Sequence, residues 1–282
     1  MKQVTVITGG AGGMGFATAN IFGRQGETLL LCDVKEDALE TSAAILRRQN
    51  MEVYTAVVDV GRPDLVQAAA QKADSLGRIH NIVHTAGLSP ILVADLPDDS
   101  AGAGIMRVNG MGTVHMVEAF YPLLKEGASM VCFTSSAAYL MPQIPEPMLN
   151  VFNLVLHDRE HFEDAFMKLA KDGPGRAYMF GKLFVLHYVR MNAGRFGHKG
   201  CRINSIAPGR IVTPMHRALI DKEPERIEGE LATMPLGRYG SAYEIGNLAE
   251  FLCSYRASYL NGIDILMDDG TQAFTSTPQL PD

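Results

Sequence analysis

Val4-Thr-Val-Ile-Thr8-Gly-Gly-Ala-Gly-Gly-Met-Gly15 is the stretch whose reading decides the fold. Val4–Thr8 is a short run rich in β-branched residues, and it breaks into five glycines within seven positions. A segment of helical period, Gly13–Arg24, follows at once. A strand that runs through a glycine turn into a helix supplies what a phosphate needs: backbone N–H donors, the positive end of a helix dipole, and no Cβ in the way. Gly10, Gly12 and Gly15 also fit the spacing G-x-G-x-x-G. Glycine turns occur without ligands too, so the motif needs support from elsewhere in the chain. Asp33 gives it, at the end of a second predicted strand, Thr28–Asp33, 18 residues past Gly15. A carboxylate there can accept hydrogen bonds from the ribose hydroxyls of an adenosine and would repel a 2′-phosphate. The turn holds no Arg or Lys, and Lys35 is the one cation nearby, so NAD is preferred over NADP. Asp33 could also cap the helix that follows it.

Working outward, the same alternation repeats along the chain. Strands are predicted at 4–8, 28–33, 52–58, 79–85, 129–133, 202–206 and 264–267. Helical stretches are predicted between them at 13–24, 36–49, 63–75, 111–124, 177–196 and 243–254. Near-continuous apolar strands alternating with helices indicate a parallel sheet covered on both faces. The fold class is therefore α/β, a single doubly wound, Rossmann-like parallel sheet. One domain of 282 residues is the first reading and two small domains the second. Leu140–Gly175 breaks the pattern: Pro142, Pro145 and Pro147 lead into an amphipathic stretch carrying Met148, Phe152, Val155, Phe162, Phe166 and Leu169. It reads as a helical insertion on the domain, because the alternation resumes after it. Residues 275–282 read as an extended tail.

Bulk properties exclude several classes of function. The net charge is −6 with no block of Lys or Arg, so a nucleic acid or anionic membrane has no electrostatic footprint here. No apolar run approaches the roughly 20 residues of a membrane helix. The N-terminus lacks a signal-peptide pattern. The four cysteines, Cys32, Cys132, Cys201 and Cys253, form no CxxC pair. They read as buried free thiols of a cytoplasmic protein.

The chemistry is carried by Tyr178-Met-Phe-Gly-Lys182, which puts a phenol and an ammonium on one helix face. An unperturbed tyrosine, at about 10, is too weak an acid to serve as a base near neutrality. A neighbouring ammonium and a cationic nicotinamide ring would favour its phenolate. A lone Y-x-x-x-K means little without companions. Here they are Asp59-Val60, Thr85-Ala86-Gly87, Val108-Asn109-Gly-Met-Gly-Thr113, Ser135-Ser136, Asn204-Ser-Ile-Ala-Pro208-Gly209-Arg-Ile211-Val-Thr213-Pro214-Met215 and Met267-Asp-Asp-Gly270.

With these motifs in order, the chain resembles the short-chain dehydrogenase/reductase family almost end to end. The resemblance implies a catalytic set of Asn109, Ser136, Tyr178 and Lys182. Tyr178 would pass the proton and Ser136 would hydrogen-bond the substrate oxygen. Lys182 would hold the nicotinamide ribose and lower the phenol's pKa, and Asn109 would anchor a relaying water. It implies a cofactor held by Gly9, Gly13, Met14, Gly15, Asp33, Asp59, Val60, Ala86, Gly87, Tyr178, Lys182, Pro208, Gly209, Ile211 and Thr213. It also implies a small alcohol or ketone substrate and a homo-oligomer, dimer or tetramer.

Two departures stand out. His84 and Thr85 replace the asparagines of the family's Asn-Asn-Ala-Gly motif, and His84 reads as a packed strand-end histidine. Ser136 and Tyr178 stand 42 residues apart, far more than the family's usual dozen or so. The extra segment, 140–175, begins right after the serine and should stand beside the substrate pocket, where its apolar face could cover a hydrophobic substrate, serve a subunit contact, or do both. An insertion there is similar to that of the bacterial 3α-hydroxysteroid dehydrogenase/carbonyl reductase group, which points to an apolar, ring-bearing substrate. Within it, His157-Asp-Arg-Glu160-His161 matches a zinc pattern but has no third ligand and reads as a solvated helix face, so no metal is expected. The alternative function is a non-catalytic NAD-binding regulator; such proteins usually lose the tyrosine or lysine, and this chain keeps both. A nucleotide-sugar epimerase would need a larger C-terminal domain than the roughly 100 residues after Tyr178.

Overall fold

The computed structural model describes residues 2–213 and 224–279, so Pro214 and Met215 lie outside the described residues. Seven strands form one parallel sheet: β1 (Gln3–Thr8), β2 (Thr28–Asp33), β3 (Val53–Val57), β4 (Arg78–His84), β5 (Ser129–Phe133), β6 (Arg202–Pro208) and, after a two-residue pair formed by β7 (Ile211–Val212) and β8 (Gly240–Ser241), β9 (Asp264–Met267). Their spatial order is β3-β2-β1-β4-β5-β6-β9. The order reverses between β1 and β4, and in open α/β sheets a ligand crevice lies at the carboxyl ends of the strands on either side of that point. Thr8, Asp33, His84 and Phe133 all end strands on that edge.

The period-two alternation of the strands sorts their side chains between two cores. Val4, Val6, Leu30 and Cys32 face one core, built with residues of α3 (Pro63–Leu76), α4 (Asp98–Met106), α5 (Gly112–Phe120) and α8 (Pro174–His198). Ile7, Leu29, Leu31 and Val83 face the other, built with α1 (Gly13–Arg24), α2 (Glu36–Arg47) and the helix Ala242–Cys253. The predicted strands at 28–33, 129–133 and 264–267 match the observed ones to the residue. The predicted helix over 111–124 is shorter: a π-turn, Arg107–Met111, precedes α5, and Pro122 falls in a 3₁₀ turn that ends it. α8 begins at Pro174, three residues earlier than expected, because proline suits the first turn of a helix. The tail is not wholly extended. Thr271–Ser276 is helical, with the Asp268 carboxylate accepting the Gln272 amide at 2.8 Å.

The extra segment contains α6 (Glu146–Asn153) and α7 (Arg159–Lys168), both laid on α8. Phe152, Phe162 and Phe166 are fully buried and close on Phe184 of α8, at centroid distances of 5.2, 5.1 and 4.7 Å. Phe166 also rests on Gly110, where a Cβ would come within 2.3 Å of its ring. Glu118 of α5 gathers Arg159 of α7 at 2.8 Å together with Arg195 and Tyr188 of α8. No helix among the described residues is long and apolar enough to cross a membrane.

Candidate active site

The glycine turn folds back tightly on itself. Gly9 adopts a left-handed backbone (φ +67°), and its carbonyl accepts the Gly12 amide at 2.9 Å. A Cβ on Gly15 would stand 2.1 Å from that carbonyl, so no other residue fits there. The first-turn amides of a helix have no partner inside it. Neither a side-chain cap nor an acidic residue competes for those of Gly13, Met14 and Gly15. This donor set fits the pyrophosphate of a dinucleotide. Asp33 closes the turn from β2: one carboxylate oxygen accepts the Ala11 amide at 3.1 Å and the other the Lys35 amide at 3.2 Å. Asp33 thus borders the turn, but it is not the cap of α2, whose N-cap position is Lys35 with no side-chain cap hydrogen bond.

Asp59, past the end of β3, accepts Gly61 N–H at 2.8 Å and the Arg107 guanidinium at 2.9 Å. Val60 beside it is buried, and its carbonyl takes the His115 ring nitrogen at 2.9 Å. At the end of β4, the replaced asparagines still tie β4 to β1. Thr85 Oγ1 donates to the Thr8 carbonyl at 2.7 Å, the Ala86 amide donates to Thr8 Oγ1, and His84 Nδ1 pairs with the same hydroxyl at 2.7 Å. Burial and the nearby Lys182 charge hold the His84 ring at about 3, so it stays neutral in its packed strand-end position. Gly209 lies against β9 through Met267, Pro208 ends β6, Ile211 is buried in β7, and Thr213 is half-buried at the edge of the described residues.

Asn109 sits in the π-turn, a local unwinding often found at functional sites. Its side chain is spent on one backbone unit: Oδ1 accepts the Leu88 amide at 2.8 Å, and Nδ2 donates to the Leu88 carbonyl at 2.9 Å. Gly87 lies against both Asn109 and Lys182, for a Cβ on it would meet Asn109 Oδ1 at 3.0 Å and Lys182 Nζ at 3.2 Å. Lys182 Nζ donates to the Phe133 carbonyl at 2.8 Å and stands 5.9 Å from the centroid of the Tyr178 ring.

Burial pushes the Tyr178 phenol above its ordinary value, and a hydrogen bond from Ser135 pulls the other way. The lowering expected from Lys182 is not among these influences; its ammonium donates to the Phe133 carbonyl and is itself desolvated. Of the two serines, the one whose influence reaches the phenol is Ser135, which is buried and whose oxygen accepts the Ala137 amide at 3.2 Å. Ser136 is half-buried next to it and opens a 3₁₀ turn. The doublet was visible in the sequence, but which hydroxyl meets the phenol depends on how the chain leaves β5.

Burial pushes the Lys182 ammonium down to about 8, whereas in the unfolded chain it keeps its ordinary 10.5. Between those values the unfolded state binds more protons, so folded stability rises with pH across that window, and below it the burial cost is carried in full. Lys182→Met is expected to raise the melting temperature at pH 7 by several degrees and to flatten the rise between pH 8 and 10.5. Thermal melts across that range check it; an unchanged slope would contradict it.

All four cysteines are free and buried. Of the histidines in the zinc-like pattern, His161 pairs with Asp158 at 2.8 Å, and among the described residues no group of His, Cys, Asp or Glu is arranged to hold a metal.

The comparisons with known proteins show the family. The short chain dehydrogenase family profile matches residues 3–148, and a second one, described as Enoyl-(Acyl carrier protein) reductase, matches 168–272. Between them lies most of the α6–α7 region. A short-chain dehydrogenase/reductase of Alternaria brassicicola is 31% identical over 287 residues, covering 98% of each chain. The chain belongs to the short-chain dehydrogenase/reductase family. Within this family of nicotinamide-dependent oxidoreductases, levodione reductase of Leifsonia aquatica is 30% identical over 96% of this chain and 94% of its own. The crystal structure of a levodione reductase superposes with a TM-score of 0.75 at 27% identity, covering 96% of this chain and 98% of that one. Galactitol 2-dehydrogenase (L-tagatose-forming) of Cereibacter sphaeroides is 28% identical over 94% of this chain and 92% of its own.

Proposed function

We propose that this short-chain dehydrogenase/reductase transfers a hydride between NAD and a secondary alcohol or ketone, with an apolar, ring-bearing substrate such as a hydroxysteroid or similar carbonyl compound. The observation that carries the reading is the meeting of Tyr178, a serine hydroxyl and Lys182 at the carboxyl end of β5, across from the glycine turn. Tyr178 gives its proton to the ketone oxygen or takes one from the alcohol. The serine pair stabilises the charge that develops on that oxygen. Lys182 and Tyr178 hold the nicotinamide ribose, Asn109 fixes the loop after β4, and Gly13, Met14 and Gly15 hold the pyrophosphate. When bound, the nicotinamide supplies the hydride acceptor or donor and, in its oxidised form, a positive charge near Tyr178.

NAD rather than NADP follows from Asp33, whose carboxylate would stand against a 2′-phosphate. The carbonyl and alcohol chemistry in the names levodione reductase and galactitol 2-dehydrogenase supports the reaction class. An apolar substrate is supported by Leu140, which is 67% exposed at the root of the insertion, directly past the serine turn.

The test is a panel of cyclic and acyclic secondary alcohols, each with NAD and with NADP. Cyclic alcohols with NAD are expected to react fastest, at least about tenfold faster than with NADP. Equal rates with both cofactors would remove the role of Asp33, and no turnover at all would remove the reading. The serine pair is resolved by single alanine variants. Ser135→Ala is expected to lower kcat by about 10²-fold or more and Ser136→Ala by less than tenfold. The reverse order would return the role to Ser136.

A further inference from the structure

One carboxylate brackets the turn that carries both serines. Asp264 opens β9, which is separated from β5 by β6. Its side chain reaches across β6. Oδ1 accepts the Thr134 hydroxyl at 2.7 Å, and Oδ2 accepts the Tyr139 phenol at 2.8 Å. Thr134 directly precedes Ser135, and Tyr139 is the fourth residue of the 3₁₀ turn Ser136–Leu140. Everything between these anchors is short-range: the Ala138 amide donates to the Ser135 carbonyl at 2.9 Å, and the Ala137 amide to Ser135 Oγ at 3.2 Å. Thr134 has a second anchor, for its amide donates to the Ile206 carbonyl at 2.8 Å, an oxygen that also lies 2.9 Å from its hydroxyl, whose single proton it shares with Asp264. Among the described residues, Asp264 is the one group hydrogen-bonded to both ends. Burial and the carboxylate keep the Tyr139 phenol protonated far above neutrality, so it remains a donor at any working pH.

We propose that Asp264, acting through Thr134 and Tyr139, is a positioning residue that sets the serine hydroxyls against the Tyr178 phenol and the reacting oxygen. This rests on the dehydrogenase reading above. A hydrogen-bond donor to a developing oxyanion works only within a few tenths of an ångström of its place. A 3₁₀ turn feeding a long insertion needs such a fixture more than a short loop does. The same bracket sets the direction in which the chain enters the insertion at Leu140.

Asp264→Asn and Tyr139→Phe test it. Asparagine keeps the shape but cannot accept from both hydroxyls, and Tyr139→Phe is a mild change at a half-buried site. Each is expected to lower kcat ten- to hundredfold on the best alcohol of the panel, with the dissociation constant for NADH changed by less than about twofold. In a Ser135→Ala, Ser136→Ala background, adding Asp264→Asn should cost nothing further, because its effect runs through those hydroxyls. Amide hydrogen exchange should speed up at Ala137 and Ala138 in both variants and stay unchanged in the middle of α8. Unaltered exchange in that turn, wild-type kcat, or an equal loss in the serine-free background would each overturn the proposal. If the wild type oxidised no alcohol, the functional reading would fail, and the exchange measurement would still decide whether Asp264 holds the turn.

Discussion

Tyr178→Phe is expected to lower kcat by about 10²- to 10⁴-fold, the usual worth of a positioned general acid or base. The substitution removes one oxygen and leaves the ring in place on α8, so folding should stay near the wild-type value, and dinucleotide affinity should fall far less than kcat because Lys182 still holds the nicotinamide ribose. The cost is concentrated in the chemical step because, among the described residues, neither His84 nor Lys182 is placed to substitute. His84 is neutral and bonded to Thr8, and Lys182 donates to the Phe133 carbonyl. Steady-state kinetics with the best alcohol of the panel, together with an NADH binding curve, check the result. A loss of binding equal to the loss of turnover would mean that Tyr178 holds the cofactor without moving the proton.

The second large effect concerns stability. Phe166→Ala is expected to cost about 3–5 kcal/mol in denaturant unfolding, the range for deleting a buried aromatic ring. Phe166 is fully buried at the junction of the insertion, α8 and the π-turn, with ring centroids of Phe162 and Phe184 at 5.1 and 4.7 Å. Its ring sits where Gly110 has no side chain, so the space it leaves is bordered there by bare backbone. Because Gly110 adjoins Asn109, the variant should also weaken the seating of Leu88, and turnover should fall along with stability. A cost below about 1 kcal/mol would mean that the insertion contributes little to holding α8.

The sequence carried most of the fold because its signals are local. The apolar runs ending in Thr8, Asp33 and Phe133, the glycines that only a tight turn requires, and Pro63 at a helix start each act within a few residues. The insertion was legible as a break in that alternation, and its apolar face was legible from the spacing of its phenylalanines. Its target was not legible, because the stack with Phe184 and the contact with Gly110 join residues far apart in the chain. The same limit applies at the site. Tyr178, Lys182 and Asn109 were readable from motif order. The choice between Ser135 and Ser136 turns on a backbone path, and the link from Asp264 to Thr134 and Tyr139 crosses the sheet. Desolvation is likewise a property of the packed chain: an ammonium near a phenol suggested a lowered pKa for Tyr178, whereas burial raises it and lowers that of Lys182.

The most direct test of the central claim follows the hydride itself. The best secondary alcohol of the panel, deuterated at its carbinol carbon, is incubated with NAD and the enzyme, and the reduced cofactor is analysed by mass spectrometry. The account predicts one deuterium per NADH formed, and Tyr178→Phe slowing that transfer by at least about a hundredfold. Deuterium lost to solvent, or transfer in the Tyr178→Phe variant at the wild-type rate, would contradict it.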